Sequence, residues 1–399
     1  MTAAPAARVV VVGAGLAGAR TCQQLRARGY AGELLLVGAE ARPPYDRPPL
    51  SKRVLLGEAD DSALDPDWYG GAELRLGVTA TGLAPGVLAT TVGELRWDRL
   101  VLATGAVPRR IGGDSGDGSG ACVLRTAEDS LRLRAAFVAG ARVVVVGAGW
   151  IGAEVATAAA RRGCAVTVVE AAAAPLSVAL GEEAGSRTVP WYAEAGITLR
   201  VAEPVAAVDG MSVTLGSGQV LPADVVVEGI GVRPDLGWLA GSGVEVDPRT
   251  GGVVVDAACR ASLPGVLAVG DCAARWSPRT GRRVRTEHWD DALRAPDVVA
   301  AALLGEDAAY DPVPYVWSEQ FGRYLQWAGW RDGPPAVWRG DPGSDRAWAA
   351  AWLDAGGRLT GFLAVDRPRD AVQARRAIDA GRVPDPARLA DPAVPVRDA

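Results

Sequence analysis

Two glycine-rich turns of identical spacing are the residues in this chain best suited to holding a ligand. The pattern G-x-G-x-x-G occurs at Gly13, Gly15 and Gly18, and again at Gly147, Gly149 and Gly152. In such a turn the first glycine permits a tight bend, the second lets a pyrophosphate approach the backbone, and the third lets a helix pack on a strand. The N–H groups at that helix end favour an anion. Two copies in one chain indicate two bound dinucleotides.

The elements around each turn follow the order strand, turn, helix, strand. Both turns come directly after an Arg-Val-Val-Val-Val run. Helices are predicted over residues 15–28 and 149–162, and each is followed by a glycine, Gly29 or Gly163, which suits a left-handed helix end. Apolar second strands are predicted over residues 33–37 and 166–169. The chain therefore contains two Rossmann-like βαβ units.

The acidic residue at the end of the second strand bears on which nucleotide each unit binds. In the second unit it is Glu170, which can accept hydrogen bonds from an adenosine ribose. Residues 171–174 hold no arginine for a 2′-phosphate, and the carboxylate would repel that group, so the sequence predicts NADH rather than NADPH. A solvated glutamate at a strand end is the alternative. The corresponding position of the first unit is Gly38, and Glu40 is its nearest acid.

Composition limits the class of protein. With 399 residues, 49% of them hydrophobic, the chain is long enough for two or three domains. Its apolar runs fall far short of the roughly 20 residues of a membrane helix, and residues 1–7 show no export signal. We therefore expect a soluble cytoplasmic protein. A net charge of −5 gives no excess of basic residues that would favour the binding of nucleic acid.

The cysteines and the single histidine predict neither a metal site nor a redox disulfide. The five cysteines are scattered without a C-x-x-C pair, and His288 is the sole histidine that could join them. No metal is therefore expected. A disulfide reductase is also disfavoured, because the first βαβ unit has no pair of cysteines.

The remaining strand-like segments place a small mixed domain at the end of the chain. Strands are predicted over residues 99–103, 223–229, 252–255 and 265–269, and residues 112–120 form a predicted loop. After Pro312 the sequence becomes rich in tryptophan. We expect antiparallel strands there over residues 316–326, 347–353 and 359–365, followed by a helix over residues 370–380. The predicted class is α/β, with two Rossmann-like domains and a small α+β C-terminal domain.

One lysine, Lys52, stands among 42 basic residues, and all the others are arginine. A compact ammonium on a flexible stem can serve where a planar guanidinium cannot. Its retention therefore suggests a chemical role. Chance retention on the surface is the alternative.

A resemblance to a known family rests on the run Pro-Tyr-Asp-Arg-Pro-Pro-Leu-Ser-Lys at residues 44–52. It resembles the hallmark of the oxygenase-coupled NADH:ferredoxin reductases, the family of putidaredoxin and rhodocoxin reductases, within the pyridine nucleotide-disulfide oxidoreductases. Further matches lie at residues 102–105, 270–273, 287–289 and 317–321, so the resemblance runs from residue 8 to about residue 391.

The resemblance implies FAD and NADH as cofactors and a glutathione-reductase-like architecture. An FAD-binding domain would comprise residues 1–111 and 234–313, split around an NAD-binding domain of residues 112–233. An interface domain of residues 314–399 would follow. This order agrees with the two repeated βαβ units.

The same resemblance implies roles for individual residues. In the FAD site, Thr104 and Gly105 would close one end, Asp271 would bind the ribityl chain, and Arg47 would contact the pyrophosphate. Gly229, at the end of a predicted strand, would contact NAD. The Thr-Gly and Gly-Asp pairs are also common in ordinary turns, which is the alternative for them.

The redox residues implied by the resemblance surround the flavin. Lys52 would lie beside flavin N5, paired with Glu154 from the NAD unit. Trp289 would approach the stacked rings, and Trp317 would lie near the dimethylbenzene edge, although both could be core aromatics. A helix beginning at Asp290 or Asp291 would point its positive end at the pyrimidine side of the flavin. Hydride transfer needs no protein base, so His288 is interpreted as structural.

The electron acceptor must be external, because the chain offers no haem or cluster ligands of its own. The family role implies a ferredoxin, of the 2Fe-2S or a similar type, that feeds a cytochrome P450 or a dioxygenase. Two basic clusters could steer such an acidic partner. They are Arg275, Arg279, Arg282, Arg283 and Arg285, and then Arg367, Arg369, Arg375 and Arg376.

Two competing functions stay open from the sequence. The chain could be a flavin oxidoreductase that acts directly on a small molecule or on oxygen. It could also be a non-catalytic NADH-sensing flavoprotein that signals through dimerisation. The sequence leaves both a monomer and a homodimer open.

Overall fold

The structure is a computed structural model that describes residues 8–112 and 120–399. Residues 1–7, and the predicted loop at residues 112–120 except for its two ends, lie outside the described residues. The described chain divides into two compact units. The first unit holds residues 8–46, 62–107 and 233–312. The second holds residues 47–61, 108–112, 120–232 and 313–399, and nothing in the sequence pattern indicated that residues 47–61 would group with it.

Both units contain helices and strands. The helices are α1 (Leu16–Ala27), α2 (Arg53–Leu56), α3 (Ala127–Ala136), α4 (Trp150–Arg161), α5 (Ser177–Leu180), α6 (Glu182–Ser186), α7 (Val189–Glu194), α8 (Trp289–Leu303), α9 (Pro368–Asp379) and α10 (Pro386–Ala390). The strands are β1 (Arg8–Val12), β2 (Glu33–Gly38), β3 (Glu73–Leu76), β4 (Ala80–Ala84), β5 (Val87–Thr90), β6 (Gly93–Arg96), β7 (Arg99–Leu102), β8 (Val107–Pro108), β9 (Arg142–Val146), β10 (Ala165–Val169), β11 (Thr198–Arg200), β12 (Val205–Asp209), β13 (Ser212–Leu215), β14 (Val220–Pro222), β15 (Val225–Glu228), β16 (Val232–Arg233), β17 (Val253–Val255), β18 (Val266–Ala268), β19 (Ala273–Ser277), β20 (Arg282–Val284), β21 (Tyr315–Gln320), β22 (Arg323–Gly329), β23 (Val337–Arg339), β24 (Trp348–Leu353) and β25 (Leu359–Val365).

The first unit is built on a five-stranded parallel sheet in the order β18-β7-β1-β2-β3. The four valines of β1 are all buried, as expected for a parallel strand covered on both faces. Helix α1 packs against α8. Because β1, β7 and β18 are parallel neighbours, their carboxyl ends meet at one edge of the sheet. An open α/β sheet binds its ligand at this edge.

The second unit repeats this plan on a four-stranded parallel sheet in the order β11-β10-β9-β15. The valines of β9 are buried in the same way, and α4 follows the strand as α1 follows β1. The predicted helices and strands of both βαβ units agree with the structure to within one residue at either end. Both Rossmann-like units are thus confirmed.

The last part of the second unit is an antiparallel sheet, β21-β22-β25-β24-β23, with α9 packed on β25. The single strand predicted over residues 316–326 is wrong, because the chain reverses within it. Phe321 and Gly322 both adopt left-handed backbone angles, with φ of 52° and 71°, and join β21 to β22 as a hairpin. Phenylalanine is uncommon in that conformation, so the sequence pattern concealed the turn.

Two further observations concern the described ranges, residues 8–112 and 120–399. No helix there is both long and apolar enough to cross a bilayer. Nor does any cluster of three or more histidine, cysteine, aspartate or glutamate side chains form a potential metal site.

Candidate active site

The first glycine turn is held so tightly that side chains would not fit. Gly13 has φ of +113°, and a Cβ atom there would lie 2.1 Å from the carbonyl oxygen of Ala103. A Cβ atom on Gly18 would lie 1.9 Å from the carbonyl oxygen of Gly13. Helix α1 then begins after Gly15 with no side chain capping its first turn. The unpaired N–H groups of that turn are therefore available to an anion.

The second glycine turn has the same construction and an open approach. Gly147 has φ of +100°, and a Cβ atom there would lie 2.6 Å from the carbonyl oxygen of Gly229. A Cβ atom on Gly152 would lie 2.0 Å from the oxygen of Gly147. Above Gly149, by contrast, no heavy atom comes within 4 Å of the Cβ position, and α4 begins without a side-chain cap. This turn fits a dinucleotide pyrophosphate.

Glu170 accepts two backbone hydrogen bonds that the sequence did not reveal. Its two carboxylate oxygens accept the backbone N–H groups of Ala148 at 2.7 Å and of Ala172 at 2.8 Å. The side chain is thereby fixed between the strand end and the glycine turn. A carboxylate has about four acceptor positions, so capacity remains for ribose hydroxyls.

The first unit has glycine where the second has Glu170, and packing explains the difference. A Cβ atom on Gly38 would lie 2.6 Å from the Cβ atom of Ala14 in the glycine turn, so the site has no room for a side chain. Two residues further on, Glu40 is partly exposed and accepts a hydrogen bond from the hydroxyl of Tyr45. Tyr45 is therefore a further candidate site residue.

The other residues predicted for FAD in the first unit follow strands at the same sheet edge. Thr104 and Gly105 come directly after β7, and Gly105 has φ of +70°. The hydroxyl of Thr104 is buried and lies beside the buried Cys272 thiol, which follows β18. Asp271 lies in the short turn after β18. Because β7 lies between β1 and β18, these residues share an edge with Gly13.

Trp289 is the first residue of α8 and is anchored by a residue that sequence reasoning missed. Its indole Nε1 donates to Oδ1 of Asp46 at 2.7 Å. The helix begins at Trp289 rather than at Asp290 or Asp291, so the predicted start is one or two residues late. His288 precedes the helix in extended conformation and makes no capping hydrogen bond through its side chain.

The first basic cluster is smaller than the sequence suggested. Arg275 is buried on β19 and pairs with the buried Asp291 at 2.9 Å. Burial raises the pKa of Asp291, although the Arg275 guanidinium opposes that effect. Arg279 pairs with Asp311 at 3.5 Å. The expectation that Arg275 belongs to a basic surface is therefore wrong, whereas the other four arginines of the cluster are exposed or partly exposed.

A buried ion pair in the second unit joins the lone lysine to α4. Nζ of Lys52 lies 2.8 Å from Oε2 of Glu154, whose side chain is 4% exposed, against 17% for the lysine. The pairing implied by the resemblance is thus present. Ser51 also donates to Oε2, and Ser318 donates to the other oxygen, Oε1, at 2.6 Å. Neither serine was singled out from the sequence.

Aromatic and backbone groups complete the surroundings of Lys52. Its Nζ lies 4.7 Å from the ring centre of Trp317, within the range of a cation–π contact. It also donates to the carbonyl oxygen of Pro48 at 3.3 Å. Arg47, the predicted FAD pyrophosphate contact, precedes the same short 3₁₀ turn, Pro48–Ser51. The loop of residues 47–52 therefore carries both predicted cations.

Two glycine turns at the edges of parallel sheets, together with the antiparallel C-terminal sheet, define a class of two-dinucleotide oxidoreductases. The chain belongs to the pyridine nucleotide-disulphide oxidoreductase family, whose profile matches residues 7–295. A second profile, that of the reductase C-terminal domain, matches residues 315–399.

Individual relatives are similar over nearly the whole chain. The ferredoxin–NAD(+) reductase component of the anthranilate 1,2-dioxygenase system of Burkholderia cepacia is 41% identical, over 92% of this chain and 93% of the relative. The crystal structure of Fdr9 is 51% identical with a TM-score of 0.91, and the match covers 98% of this chain and 99% of that one. Putidaredoxin reductase, in its covalent complex with putidaredoxin, is 32% identical with a TM-score of 0.90, covering 98% and 97%.

Proposed function

We propose that this protein is an FAD-containing oxidoreductase that takes hydride from NADH and passes electrons singly to a ferredoxin. The observation that carries the proposal is the pair of glycine turns, each ending in a helix start that no side chain caps. Relatives that match at least 91% of their own length include ferredoxin–NAD(+) reductase components of dioxygenase systems. FAD, when bound, supplies the redox chemistry by accepting two electrons as hydride and releasing them one at a time.

The first unit supplies the proposed FAD-binding residues. Its glycine turn and the start of α1 bind the pyrophosphate. Arg47, which belongs to the second unit, is proposed to add a positive charge to that contact. Glu40 binds the ribose, Asp271 binds the ribityl chain, and Thr104 with Gly105 closes the site. The position of Thr104 directly after β7, at the same sheet edge as Gly13, supports its role.

The second unit supplies the proposed NADH-binding residues. Its glycine turn and the start of α4 bind the pyrophosphate, with Gly229 close beside Gly147. Glu170 accepts the adenosine ribose hydroxyls. Its charge disfavours a 2′-phosphate, which supports NADH as the donor rather than NADPH.

Lys52 and Glu154 serve the hydride-transfer step in this proposal. A positive charge from Lys52 favours the extra electron density that the flavin gains on reduction. Glu154 holds the ammonium in place until the nicotinamide enters. Trp289 orients the rings, and Trp317, in contact with Lys52, lies on the path to the acceptor.

The acceptor is proposed to dock on a basic groove beside α9. The groove is about 750 Å³ in volume, and its lining includes one acid, Asp398, and four arginines, namely Arg369, Arg376, Arg382 and Arg397. Val372 on its wall is 51% exposed, so arginine charge and apolar surface lie together. Arg367 and Arg375, the other members of the predicted C-terminal cluster, instead contact Asp370 and the ring of Tyr315. Such a surface suits an acidic ferredoxin.

The wider setting of the reaction follows from this acceptor. A ferredoxin reduced in this way would feed a cytochrome P450 or a dioxygenase. We place the reaction in the cytoplasm, where NADH is supplied. A monomer is sufficient for the proposed chemistry, and a homodimer is compatible with it.

The deciding experiment is reduction of a [2Fe–2S] ferredoxin encoded in the same genome, followed through cytochrome c with NADH or NADPH as donor. We expect reduction to need both NADH and the ferredoxin, and to fall steeply with salt. Reduction of cytochrome c without ferredoxin would support direct action on small acceptors. A long-wavelength band that persists in air, with negligible turnover, would support the NADH-sensing alternative.

The basic groove has its own test. Arg369→Glu and Arg376→Glu should raise the KM for ferredoxin about tenfold or more, because they place like charges against an acidic partner. Reduction of ferricyanide, a small acceptor, should not change. Arg358→Glu is the matched control, since that arginine lies in the turn between β24 and β25, has a side chain that is 65% exposed, and does not line the groove.

A further inference from the structure

The Glu154 carboxylate accepts more hydrogen bonds than its ion pair with Lys52 requires. Oε2 accepts from Lys52 at 2.8 Å and from the hydroxyl of Ser51. Oε1 accepts from the hydroxyl of Ser318 at 2.6 Å and from the backbone N–H of Glu319 at 3.3 Å. Each oxygen therefore has a donor other than the lysine.

These donors belong to two different parts of the second unit. Ser51 is the neighbour of Lys52 in the loop of residues 47–52, so its position changes when that loop moves. Ser318 and Glu319 lie on β21, which pairs with β22 along its whole length. Their positions are fixed by the antiparallel sheet, and they hold Oε1 independently of the loop.

Gln320 fixes the direction of the Ser318 hydroxyl. Its amide Nε2 donates to Oγ of Ser318 at 3.0 Å, and both side chains are almost fully buried. Because the hydroxyl oxygen accepts from that amide, its single proton points at Glu154. The order of donation runs from the Gln320 amide to the Ser318 hydroxyl and on to the carboxylate. Hydrogen bonds in such a chain strengthen one another.

A buried carboxylate without partners is strongly unfavourable, so an ion pair with no other support would resist opening. Lys52 has alternatives when it leaves, because the carbonyl of Pro48 and the ring of Trp317 are already within reach. Glu154 also has other hydrogen-bond donors, because Oε1 accepts from Ser318 and from the backbone N–H of Glu319 on β21. The pair is therefore built so that the lysine can move while the carboxylate stays.

We propose that Ser318, oriented by Gln320, is a positioning residue that supports the Glu154 carboxylate when Lys52 leaves it, so that the ion pair can open during hydride transfer. This inference rests on the proposed function for its purpose. The ion pair and its supporting hydrogen bonds are properties of the protein alone, so they can be tested without turnover.

The single lysine of the chain makes a direct test possible. Acetylation of Lys52 in the holoenzyme, by an N-hydroxysuccinimide ester and read by peptide mass spectrometry, reports how often the ammonium leaves Glu154. Glu154→Gln should raise the labelling rate about tenfold, because a neutral amide holds the ammonium weakly. Ser318→Ala should lower it by about threefold or more, because the carboxylate then depends more on the lysine.

The direction of the change separates this role from a structural one. A variant that only loosened the packing would label faster, so a labelling rate in Ser318→Ala equal to or above that of the wild type would overturn the proposal. In the Glu154→Gln background, Ser318→Ala should have no further effect. Thr188→Val is the control, since it removes another buried hydroxyl of the same unit, which donates to Gly185 at 2.8 Å, and should not alter labelling.

A second measurement links the ion pair to the reaction. In anaerobic stopped flow at saturating NADH, Ser318→Ala should slow flavin reduction by about the same factor by which it slows acetylation of Lys52. The KM for NADH should change little. If Ser318→Ala fails to fold, Gln320→Met leaves the hydroxyl in place without its amide donor and should shift both rates in the same direction, by less. Failure of the wild-type flavin to be reduced by NADH would refute the proposed function. The predicted ranking of Lys52 labelling rates, with Glu154→Gln above the wild type and Ser318→Ala below it, would be unaffected.

Discussion

The indole Nε1 of Trp289 donates to the carboxylate of Asp46 at 2.7 Å, although the two residues are 243 positions apart in the chain. Trp289 begins α8, and Asp46 directly precedes the loop of residues 47–52. The bond fixes the indole plane at the start of α8. Asp46 is therefore a positioning partner for the tryptophan proposed to orient the flavin.

Removal of the Asp46 carboxylate should disturb the flavin as much as removal of the indole. Asp46→Ala leaves Nε1 without its acceptor, so the ring is free to turn. We expect higher FAD fluorescence in both Asp46→Ala and Trp289→Phe, because a stacked indole quenches the flavin. The double variant should match Trp289→Phe alone. Trp276→Phe, at a tryptophan of the same unit that is 50% exposed, should leave the fluorescence unchanged.

Lys52→Met should retain FAD but slow its reduction by NADH. Loss of the charge removes stabilisation of the electron-rich reduced flavin, and one such contact changes a rate by about 10²-fold or more in comparable sites. Stopped-flow absorbance of the flavin measures this rate. Arg53→Met is the control, because it removes an exposed cation at the next position. A normal reduction rate in Lys52→Met would contradict the role of Lys52 in hydride transfer.

Glu170 should control the choice between NADH and NADPH. Glu170→Ala with Ala171→Arg removes the carboxylate and adds a cation, so the ratio of kcat/KM for NADPH over NADH should rise by about 10²-fold. Glu170→Gln with Ala171→Arg is a gentler variant, because the amide oxygen can still accept one of the two backbone N–H groups now bound. If neither variant changes the ratio, the assignment of Glu170 to the ribose is wrong.

The repeated βαβ units could be predicted because their signal is local. Four consecutive valines followed by G-x-G-x-x-G specify a buried strand, a turn and a helix start within about fifteen residues, and the structure has those elements at both copies. The Lys52–Glu154 pair could be reached only through the resemblance. No pattern of spacing connects a loop residue with a helix residue 102 positions later.

The contacts that sequence reasoning missed are hydrogen bonds and ion pairs between residues that are distant in the chain. Ser51, Ser318 and Asp46 act through hydrogen bonds that depend on tertiary structure, and serine or aspartate at such positions is also typical of ordinary loops. The burial of Arg275 beside Asp291 was concealed for the same reason. A run of arginines without acids predicts a basic surface only if all the side chains point outward, and β19 turns Arg275 inward.

The cysteines should play no part in catalysis. Burial raises the pKa of Cys22 and of Cys259 to about 12, and it also raises the pKa of Cys272. A thiol with a raised pKa stays protonated until the pH approaches that value, so these thiols are inert between pH 7 and 9. Iodoacetamide should therefore modify the partly exposed Cys122 and Cys164 first, and faster as the pH rises.

Electron transfer from NADH should survive that modification. Alkylated protein, quantified by mass spectrometry, should reduce ferricyanide at the rate of untreated protein. Loss of activity in step with alkylation of one cysteine would instead revive the interpretation as a disulfide reductase, despite the scattered thiols.

Arg339 should be among the most important single side chains for the stability of the C-terminal sheet. Its guanidinium is 2% exposed and pairs with Asp370 of α9 at 2.8 Å. It also donates to the carbonyl oxygens of four residues near the chain end, namely Leu389, Asp391, Pro392 and Val394. One side chain thus joins β23, α9 and the segment that leads to Arg397 in the basic groove.

Arg339→Met keeps the length of the side chain but leaves the Asp370 carboxylate and the carbonyl groups without this donor. Breaking a buried pair from one side costs about 3–5 kcal/mol, although Arg367 also contacts Asp370 and offsets part of that loss. We expect a lower midpoint of urea unfolding, followed by the fluorescence of the buried Trp348 and Trp352. Arg358→Met, at a side chain that is 65% exposed, should leave the midpoint unchanged. An unchanged midpoint in Arg339→Met would mean that the chain end is held by its apolar contacts, chiefly Leu389 and Val396, which are buried in the same cluster.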